Sequence, residues 1–400
     1  MSGNKSPKRI LLIVTISHVM QHIYVGSSIL IPLIIKELEL NYTEFGLAMA
    51  LSSLIGGLTQ ILFSVASRRI ARHILLGLGN ILLSLGTFLT GLSRKFIDFL
   101  SAKLISNIGV APQHPMGTAI ISEEFDEESL GGAIGFHYGV AYIGNIVGPL
   151  IMTILAASLG WRITLFIFSI PALMVGLTVI WYLNRAKRSQ ENRAKRNPGK
   201  NSLKNDVMLL MKTRSVIPIL ATQALLSGGI DIGTLTTYIP VFLADFLKMD
   251  IYERGMIYTI GLLGGVLGPV ILGIYAGHMG YTKTASISVL IASILTYLLI
   301  PYGPETGRAL IAVHLFTLMF MGFSMPTLLQ SQLVKVTSGY NRDLAVGLFL
   351  TIGSMFNSIW VGLIGHTIDS YTSFRPALII MGSLGLITLP IIVSQTRRNH

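Results

Sequence analysis

The stretch that decides the fold runs from Gly109 to Leu150 and reads GVAPQHPMGTAIISEEFDEESLGGAIGFHYGVAYIGNIVGPL. It consists of two apolar segments joined by a short acidic turn. Residues that normally weaken a helix occur in both segments: Pro112 and Pro115 in the first, and Gly135, Gly144, Gly148 and Pro149 in the second. Membrane helices tolerate such residues where neighbouring helices approach closely or satisfy the freed backbone groups. The stretch therefore predicts two membrane helices in which these glycines and Pro149 have packing or gating roles.

The composition of the chain points to a membrane protein. Of its 400 residues, 52% are hydrophobic and only 12% are charged, which is too few charges to cover the surface of a water-soluble domain. Cysteine is absent, so no disulfide framework or thiolate site is expected. The sequence contains no phosphate-binding loop, no recurring metal-ligand spacing and no obvious nucleophile–base pair. We therefore predict neither an enzymatic activity nor a cofactor.

Apolar segments long enough to cross a bilayer recur along the chain. Twelve are predicted, at residues 10–35, 46–66, 74–92, 97–121, 130–157, 162–183, 215–244, 255–277, 281–301, 306–334, 343–367 and 374–394. We predict an all-α membrane protein with twelve transmembrane helices in two pseudo-symmetric halves. Residues 1–183 form the N-terminal half, 184–214 a cytoplasmic basic linker, and 215–400 the C-terminal half.

The positions of the basic residues predict the orientation. Most of the 30 Lys and Arg residues lie in the N-terminal tail, the linker and the other loops of one side. By the positive-inside rule this side is cytoplasmic, together with both termini. The net charge of +12 is thus explained by topology and anionic lipid, and no nucleic-acid partner is expected. The acidic run 123–128 is an exception on the inner side and can pair with the basic linker. A multi-pass, monomeric protein of the plasma membrane is predicted.

The two halves repeat with nearly constant spacing. Four pairs of landmarks lie 208 to 213 residues apart: Pro32 and Pro240, Ala66 and Ala276, Pro115 and Pro326, and Arg162 and Arg375. Internal duplication with a substrate site at the interface of the repeats is a known design of secondary transporters. The repeat therefore predicts a transporter of small molecules.

With these landmarks, the whole chain resembles the major facilitator superfamily of 6+6 helix transporters, which work by alternating access. The spacing Gly135-x8-Gly144-x3-Gly148-Pro149 resembles the fifth-helix motif often found in its antiporters. The loop motifs at 64–69 and 273–280 have serine and glycine where the family has aspartate. Short motifs also resemble the fosmidomycin-resistance group of drug exporters: Ser17-His18, His114-Pro115 and Gly148-Pro149-Leu150. The resemblance implies a twelve-helix fold and, from the motifs, antiport.

Polar residues inside the seventh predicted helix form one part of a candidate substrate or proton site. They share a face when the helix is wound at about 100° per residue: Gln223, Ser227, Asp231, Thr234 and Tyr238. An aspartate at the bilayer centre costs roughly 2.5–3.5 kcal/mol, so Asp231 should face a cavity or a partner. Asp231 is a candidate proton carrier, and the alternative is a structural hydrogen bond.

The first predicted helix has a matching polar sector that contains Ser17, His18, Gln21, His22, Tyr24 and Ser28. His22 lies 209 residues before Asp231, which fits the repeat. We expect the two side chains to face each other across the transport path and to bind substrate or a proton. Two separately satisfied side chains are the alternative. His18 and His22 also have a metal-ligand spacing, but no carboxylate is near in sequence and no metal is expected.

The fourth and fifth predicted helices supply the remaining candidates. Asn107, His114 and Thr118 share one face of the fourth helix, with His114 turned inward or capping a broken helix. In the fifth helix, Tyr138, Tyr142 and Asn145 form a stripe that we place toward the cavity. A second stripe joins His137 and Ala141 to Gly144 and Gly148 and is expected to pack against a neighbouring helix. In the eleventh helix, Asn357 and Trp360 are weaker candidates.

The sequence therefore predicts a secondary transporter driven by the proton gradient. The leading hypothesis is export of a small organic molecule, as in multidrug efflux. Import or symport of an organic anion or nutrient is the alternative. No arginine lies in the middle of a predicted span as an obvious anion-binding group, which disfavours this alternative. A sensor or a channel built on the same fold is less favoured.

Overall fold

The computed structural model describes residues 6–67, 69–187, 208, 210–337 and 342–396. Within these ranges every regular element is helical. The α-helices are α1 Pro7–Val25, α2 Ile31–Glu37, α3 Tyr42–Ala66, α4 Arg72–Leu92, α5 Phe96–Val110, α6 Gln113–Glu124, α7 Glu127–Ala141, α8 Gly144–Lys187, α9 Val216–Leu226, α10 Ile232–Val241, α11 Ile251–Met279, α12 Tyr281–Leu298, α13 Arg308–Gly322, α14 Ser324–Val336, α15 Arg342–Tyr371 and α16 Phe374–Thr396. The segment Gly26–Leu30 is a 3₁₀ turn and Phe242–Phe246 is a π-helical turn.

The helices agree with the twelve predicted spans. In the described part of the chain, nine helical stretches are long and apolar enough to cross a membrane: Pro7–Glu37, Tyr42–Ala66, Arg72–Leu92, Gly132–Asn184, Ile251–Met279, Tyr281–Leu298, Arg308–Val336, Ala345–Tyr371 and Phe374–Ser394. Gly132–Asn184 contains the fifth and sixth predicted spans and bends at Gly160, whose φ is 80°. The fourth span consists of α5 and α6, and the seventh of the shorter helices α9 and α10. The prediction of an all-α membrane protein is confirmed.

Large apolar side chains cover much of the molecular surface. More than half of the side-chain surface is exposed at Leu62, Ile170, Met174, Ile274 and Val313. Such side chains would form extensive apolar patches in water, whereas lipid chains are as apolar as they are. The exposed apolar surface is therefore the surface that faces the bilayer.

Two interruptions of the helices matter for the site. The fourth span breaks between α5 and α6 because Pro112 and Pro115 lack the backbone N–H that a continuous helix needs. The seventh span breaks at residues 227–231, where Gly228 and Gly229 separate α9 from α10. The residues of the first half that match this break by offset, 18–22, remain regular helix within α1. The halves therefore differ at the pair His22 and Asp231, although these residues match by offset.

The chain divides into two compact units. The first contains residues 1–40 and 51–197, and the second contains residues 41–50 and 198–400. In the first unit, an apolar core joins α1, α4, α6, α7 and α8 around Val14, Leu76 and Ile121, which are almost fully buried. Most of the predicted linker 184–214 lies outside the described residues, and the predicted boundaries at 183 and 215 stay a prediction.

The acidic turn between α6 and α7 is held by local bonds. Asp126 caps α7 by accepting a hydrogen bond from the Ser129 backbone N–H at 2.9 Å. Hydrogen bonds from the Ser129 hydroxyl and backbone lower the pKa of Asp126. Glu123 forms an ion pair with Arg72 of α4. The pairing of this turn with the basic linker that we expected from the sequence involves residues 188–207, which lie outside the described ranges.

In the second unit, residues 41–50 pack against the end of α15. The Asp369 carboxylate accepts hydrogen bonds from the backbone N–H groups of Tyr42 at 3.0 Å and Thr43 at 2.5 Å, so it caps α3. The Tyr42 hydroxyl donates to Asp245 at 2.9 Å. Carboxylates are favoured at helix N-termini because the free N–H groups and the helix dipole point at them. These bonds attach the start of α3 to the second unit.

Candidate functional site

Glycines bring α1 and α8 into direct backbone contact in the first unit. A Cβ atom added at Gly144 would lie 2.6 Å from the Val19 carbonyl oxygen, and one at Gly148 would lie 2.7 Å from the Ile23 carbonyl oxygen. Both distances are too short for any side chain, so this contact requires glycine. A Cβ atom at Gly135 would meet no atom within 4 Å, so close packing does not explain that glycine. A gating role for these residues stays a prediction.

Beside this contact, four histidines form a cluster around His18. Its ring centroid lies 4.8 Å from that of His22, 5.0 Å from that of His114 and 4.6 Å from that of His137. We call these four residues the histidine cluster. The rings meet in tilted and edge-to-face arrangements. No group of three or more His, Cys, Asp or Glu side chains among the described residues is arranged to hold a metal ion.

Tyrosines border the histidine cluster. Tyr138 lies edge-on to His18 at 5.2 Å and stacks with His114 at 5.9 Å, and its hydroxyl lies 3.2 Å from that of Thr118. The Tyr142 ring lies 5.0 Å from that of His22. The two stripes that we separated on the fifth predicted helix thus meet at one site. The stripe assigned to packing contributes His137, which sequence reasoning left out of the site.

The hydrogen bonds of the histidine cluster are incomplete. His22 Nδ1 lies 2.9 Å from Asn145 Oδ1, and His137 Nδ1 lies 3.1 Å from Thr15 Oγ1. His18 is only 1% exposed, yet neither of its ring nitrogens has a partner within the described residues, and His137 Nε2 has none either. A buried polar atom without a partner costs about 1–3 kcal/mol, so such atoms are rare in structural positions. The cluster therefore contains buried ring nitrogens that no described residue engages.

A network of amides fixes the position of the cluster. Asn80 donates to Ser17 at 2.7 Å, and Ser17 donates to Gln113 Oε1 at 2.7 Å. Gln21 Nε2 donates to the Val110 carbonyl at the break between α5 and α6, at 3.3 Å. Ser17 and Gln21 thus hold the broken helix in place. Asn80 and Gln113 were missed, although both are polar residues in apolar spans, which is the signal that could have identified them.

A buried lysine lies in the same unit. Lys103 of α5 is 7% exposed, and its Nζ donates to the Tyr24 hydroxyl at 3.0 Å. The prediction from the sequence considered only arginine as a cation within a span, and Lys103 was therefore missed. Asn107, predicted to share a face with His114, donates to the Lys103 carbonyl at 3.1 Å and lies close to Gly56 of α3. The break between α5 and α6 lies between Asn107 and His114, so these two residues do not lie on one continuous helix.

In the second unit, Asp231 lies at the break of the seventh span and is 9% exposed. Its carboxylate caps α10 by accepting from the Ile232 N–H at 2.7 Å. Gln223 Nε2 donates to the other carboxylate oxygen at 3.3 Å, while Gln223 Oε1 is buried and has no partner within the described ranges. Asp231 therefore makes a structural hydrogen bond, as the alternative to a proton carrier predicted. Its neighbour Gln223 has one polar atom that remains unsatisfied within these ranges.

Residues of α15 support this break. Asn357 Nδ2 donates to the Ser227 carbonyl at 3.0 Å and lies 3.3 Å from Thr234 Oγ1. The Trp360 indole N–H donates to the Ala224 carbonyl at 2.9 Å. These bonds satisfy carbonyls that the missing helical turn leaves free. The weaker candidates Asn357 and Trp360 thus position the Asp231 region, together with Ser227 and Thr234.

Tyr238 of α10 makes its own contacts within the second unit. Its side chain is 1% exposed, its hydroxyl donates to the Val361 carbonyl at 2.5 Å, and its ring lies edge-on to Phe45 at 6.0 Å. The break at 227–231 separates Tyr238 from the helix that holds Gln223, whereas Asp231 caps the helix that holds Tyr238. These contacts are packing contacts, and a role of Tyr238 in the site stays a prediction. His22 and Asp231 belong to different units, and their predicted pairing stays a prediction.

Residues 11–338 match the family model described as the Major Facilitator Superfamily. The chain belongs to this superfamily. The resemblance drawn from the sequence is thereby confirmed, as is the expectation of a transporter rather than an enzyme. This facilitator is a multi-pass membrane protein that moves small molecules across a bilayer.

Curated relatives of this facilitator transport several kinds of molecule. A probable L-galactonate transporter of Escherichia coli K12 is 26% identical, over 87% of this chain and 80% of the relative. A riboflavin transporter of Clostridioides difficile 630 is 24% identical, over 59% of this chain and 51% of the relative, so the match spans about half of it. A hexuronate transporter of Bacillus subtilis 168 is 22% identical, over 90% of this chain and 87% of the relative.

Solved structures of other facilitators have the same fold. The nucleoside transporter NupG superposes with a TM-score of 0.80 at 14% identity, covering 96% of this chain and 99% of that one. A bacterial homologue of the human lysosomal transporter Spinster superposes with a TM-score of 0.77 at 15% identity, covering 98% of this chain and 97% of that one. At these identities the likeness establishes the fold alone.

Proposed function

We propose that this facilitator takes up a small organic acid of the sugar-acid type together with a proton. The observation that carries the proposal is His18, a buried imidazole inside a cluster of four histidines, neither of whose ring nitrogens has a hydrogen-bond partner in the described part of the chain. Import of an organic anion was the alternative hypothesis from the sequence. Two of the three relatives described above have sugar acids in their names, and none of the three is named for multidrug efflux.

The spacing of the histidine cluster limits the charge that it can hold. Two positive charges about 5 Å apart repel by about 3 kcal/mol at an effective dielectric constant near 20. The cluster therefore accommodates one proton at a time more readily than two, and the proton belongs to the group rather than to one ring. His18 is the central member, because its ring contacts the other three.

A carboxylate substrate supplies the charge that makes coupling possible. An imidazolium buried without an anion is unfavourable, and so is a carboxylate buried without a cation. When both enter the same unit, each stabilises the other, and the proton and the substrate bind cooperatively. This reciprocity is the thermodynamic requirement for symport. Asp231 offers a second proton-binding group in the other unit.

Transport in proteoliposomes tests the proposal. We expect purified protein to accumulate radiolabelled L-galactonate or D-glucuronate when the outside is more acidic than the lumen, and a protonophore to abolish accumulation. His18→Gln should abolish gradient-driven accumulation while counterflow exchange persists, because exchange needs no net proton movement. His278→Gln, an exposed histidine at the end of α11, is the matched control and should behave like wild type.

Two results would contradict the proposal. Accumulation that does not depend on the proton gradient would exclude proton coupling. Proton-driven efflux of a hydrophobic drug without any sugar-acid transport would favour export instead, the function that the fifth-helix motif from Gly135 to Pro149 indicates.

A further inference from the structure

We infer that Lys103, together with Tyr24, binds the carboxylate of the transported acid in the first unit. The inference rests on the proposed function, which requires an anionic substrate but does not say which group receives its charge. It assigns that role to a lysine of α5, outside the histidine cluster.

Lys103 is a buried ammonium group without a counter-ion among the described residues. Lys103 is 7% exposed and its contacts are to Tyr24: a hydrogen bond from Nζ to the hydroxyl at 3.0 Å and an approach of 4.9 Å to the ring centroid. The ion pairs formed by described residues, Arg72–Glu123, Arg162–Glu37 and Arg308–Glu253, do not include it. A charged residue inside a membrane span is costly, and one without a carboxylate partner points to a substrate that supplies the negative charge.

The Lys103–Tyr24 pair presents several hydrogen-bond donors. An ammonium group has three N–H donors, and Tyr24 accepts one of them. Because the Tyr24 oxygen accepts from Lys103, its own hydrogen is free to donate elsewhere. The pair therefore offers N–H and O–H donors from atoms 3.0 Å apart, which suits the two oxygens of one carboxylate. Charge-assisted bonds of this kind are about twice as strong as neutral ones.

The Lys103–Tyr24 pair lies close to the histidine cluster along the axis of α1. Tyr24 follows His22 by two residues on α1, a rise of about 3 Å along the helix axis. Two residues also turn about 200° around that axis, so Tyr24 and Lys103 lie near the depth of His22 but on a different side of α1, and Lys103 holds a positive charge apart from the histidine rings. A carboxylate on Lys103 places negative charge in the same unit as the histidine cluster, where it favours the protonated state of the imidazoles. Lys103 supplies the fixed charge, and the histidine cluster supplies the exchangeable one.

Direct binding to the full-length purified protein tests the inference. L-galactonate and D-glucuronate are compared with the neutral polyol galactitol for wild type, Lys103→Gln, Lys103→Arg and Tyr24→Phe. We expect Lys103→Gln to weaken binding of both acids by about ten- to a hundredfold, the loss typical of a charge-assisted bond, and to leave galactitol binding unchanged. Lys103→Arg should retain much of the affinity, and Tyr24→Phe should weaken acid binding by a smaller factor. Lys95→Gln, an exposed lysine just before α5, should bind like wild type.

The outcomes separate the two proposals. If wild type binds the acids and Lys103→Gln binds them equally well, the inference is wrong and the proposed function stands. If wild type binds neither acid, the proposed function fails and the inference fails with it. Should Lys103→Gln not fold, Tyr24→Phe decides, because it removes one hydroxyl from a half-buried ring. The inference is also wrong if Tyr24→Phe binds the acids as tightly as wild type while Lys103→Arg loses about ten- to a hundredfold in affinity.

Discussion

At the scale of single residues, the groups that we propose to bind protons differ in kind between the two units. The first unit has four neighbouring imidazoles, and the second has one carboxylate at the start of a short helix. Imidazole and carboxylate protonate over different pH ranges and with opposite changes of charge: histidine becomes positive, and aspartate becomes neutral. Substitutions at His18 and Asp231 should therefore affect transport in different ways.

Replacing Asp231 by Asn should uncouple transport without unfolding the protein. An asparagine can still cap α10 through its Oδ1 atom, and its Nδ2 can donate to Gln223 Oε1, which has no partner among the described residues, once the Gln223 amide group turns over. The substitution thus removes the titrating charge and keeps the local bonds. We expect proton-driven accumulation of a sugar acid to fall by about tenfold or more, as for loss of an essential proton-transfer group, while counterflow continues. The measurement is uptake in vesicles with and without an imposed pH gradient.

Asp231→Ala is the comparison for this substitution, because it removes the cap as well as the charge and should also lower the melting temperature. Unchanged gradient-driven uptake by Asp231→Asn would show that the second unit takes no part in proton coupling.

Sequence reasoning identified most of the residues around the cluster, and its failures share a cause. His18, His22, His114, Tyr138, Tyr142 and Asn145 were all predicted, because polar residues in apolar spans are a direct signal. His137 was assigned to packing alone because helical winding gives a direction around one axis only. It does not indicate which neighbour a stripe faces, and it fails beyond a break such as 227–231. The unpaired state of Lys103 depends on contacts between helices, which a single sequence does not contain.

At the scale of elements, the contact between α1 and α8 depends on two glycines. At Gly144 the nearest atoms belong to the α1 backbone and to the His22 Cβ. A methyl group there must push the helices apart and displace the rings of the cluster. The geometry of the histidine cluster therefore depends on the contact of α1 with α8.

Gly144→Ala should destabilise the protein and impair transport, with Gly135→Ala as its matched control. Forcing an extra methyl group into a tight contact typically costs about 1–3 kcal/mol, so the melting temperature of Gly144→Ala in detergent should fall measurably. Gly135 lies in open space on α7, and alanine is the better helix former, so Gly135→Ala should be neutral or slightly stabilising. Equal melting temperatures for the two variants would contradict the close packing described for α8.

At the scale of the whole molecule, the superfamily membership fixes the helical architecture and leaves the orientation as a prediction from charge. The positions of the basic residues predict that the start of α12 lies on the cytoplasmic side and that the segment between α12 and α13 lies outside. The length and composition of the helices predicted the fold well, since both are properties of the chain itself. The attachment of residues 41–50 to the second unit was not predicted, because it depends on Asp369, more than 300 residues away.

Single cysteines on either side of α12 test the orientation. The natural chain has no cysteine, so any labelling reports the introduced residue alone. Glu305→Cys, in the exposed segment before α13, should react with a membrane-impermeant maleimide in intact cells. Lys283→Cys, exposed at the start of α12, should react only after the cells are permeabilised. The reverse pattern would place the N-terminus outside.

The direct backbone contact of α1 with α8 has a consequence for how the protein can respond to pH. Gly144 and Gly148 set the backbone of α8 directly against α1, so a change in the crossing of the two helices displaces the imidazoles of His18 and His22, which α1 carries. Electrostatic repulsion varies inversely with separation. Under the proposed proton coupling, a small movement between the helices therefore alters the affinity of the cluster for a proton, and, by reciprocity, binding of that proton exerts a force on the helices.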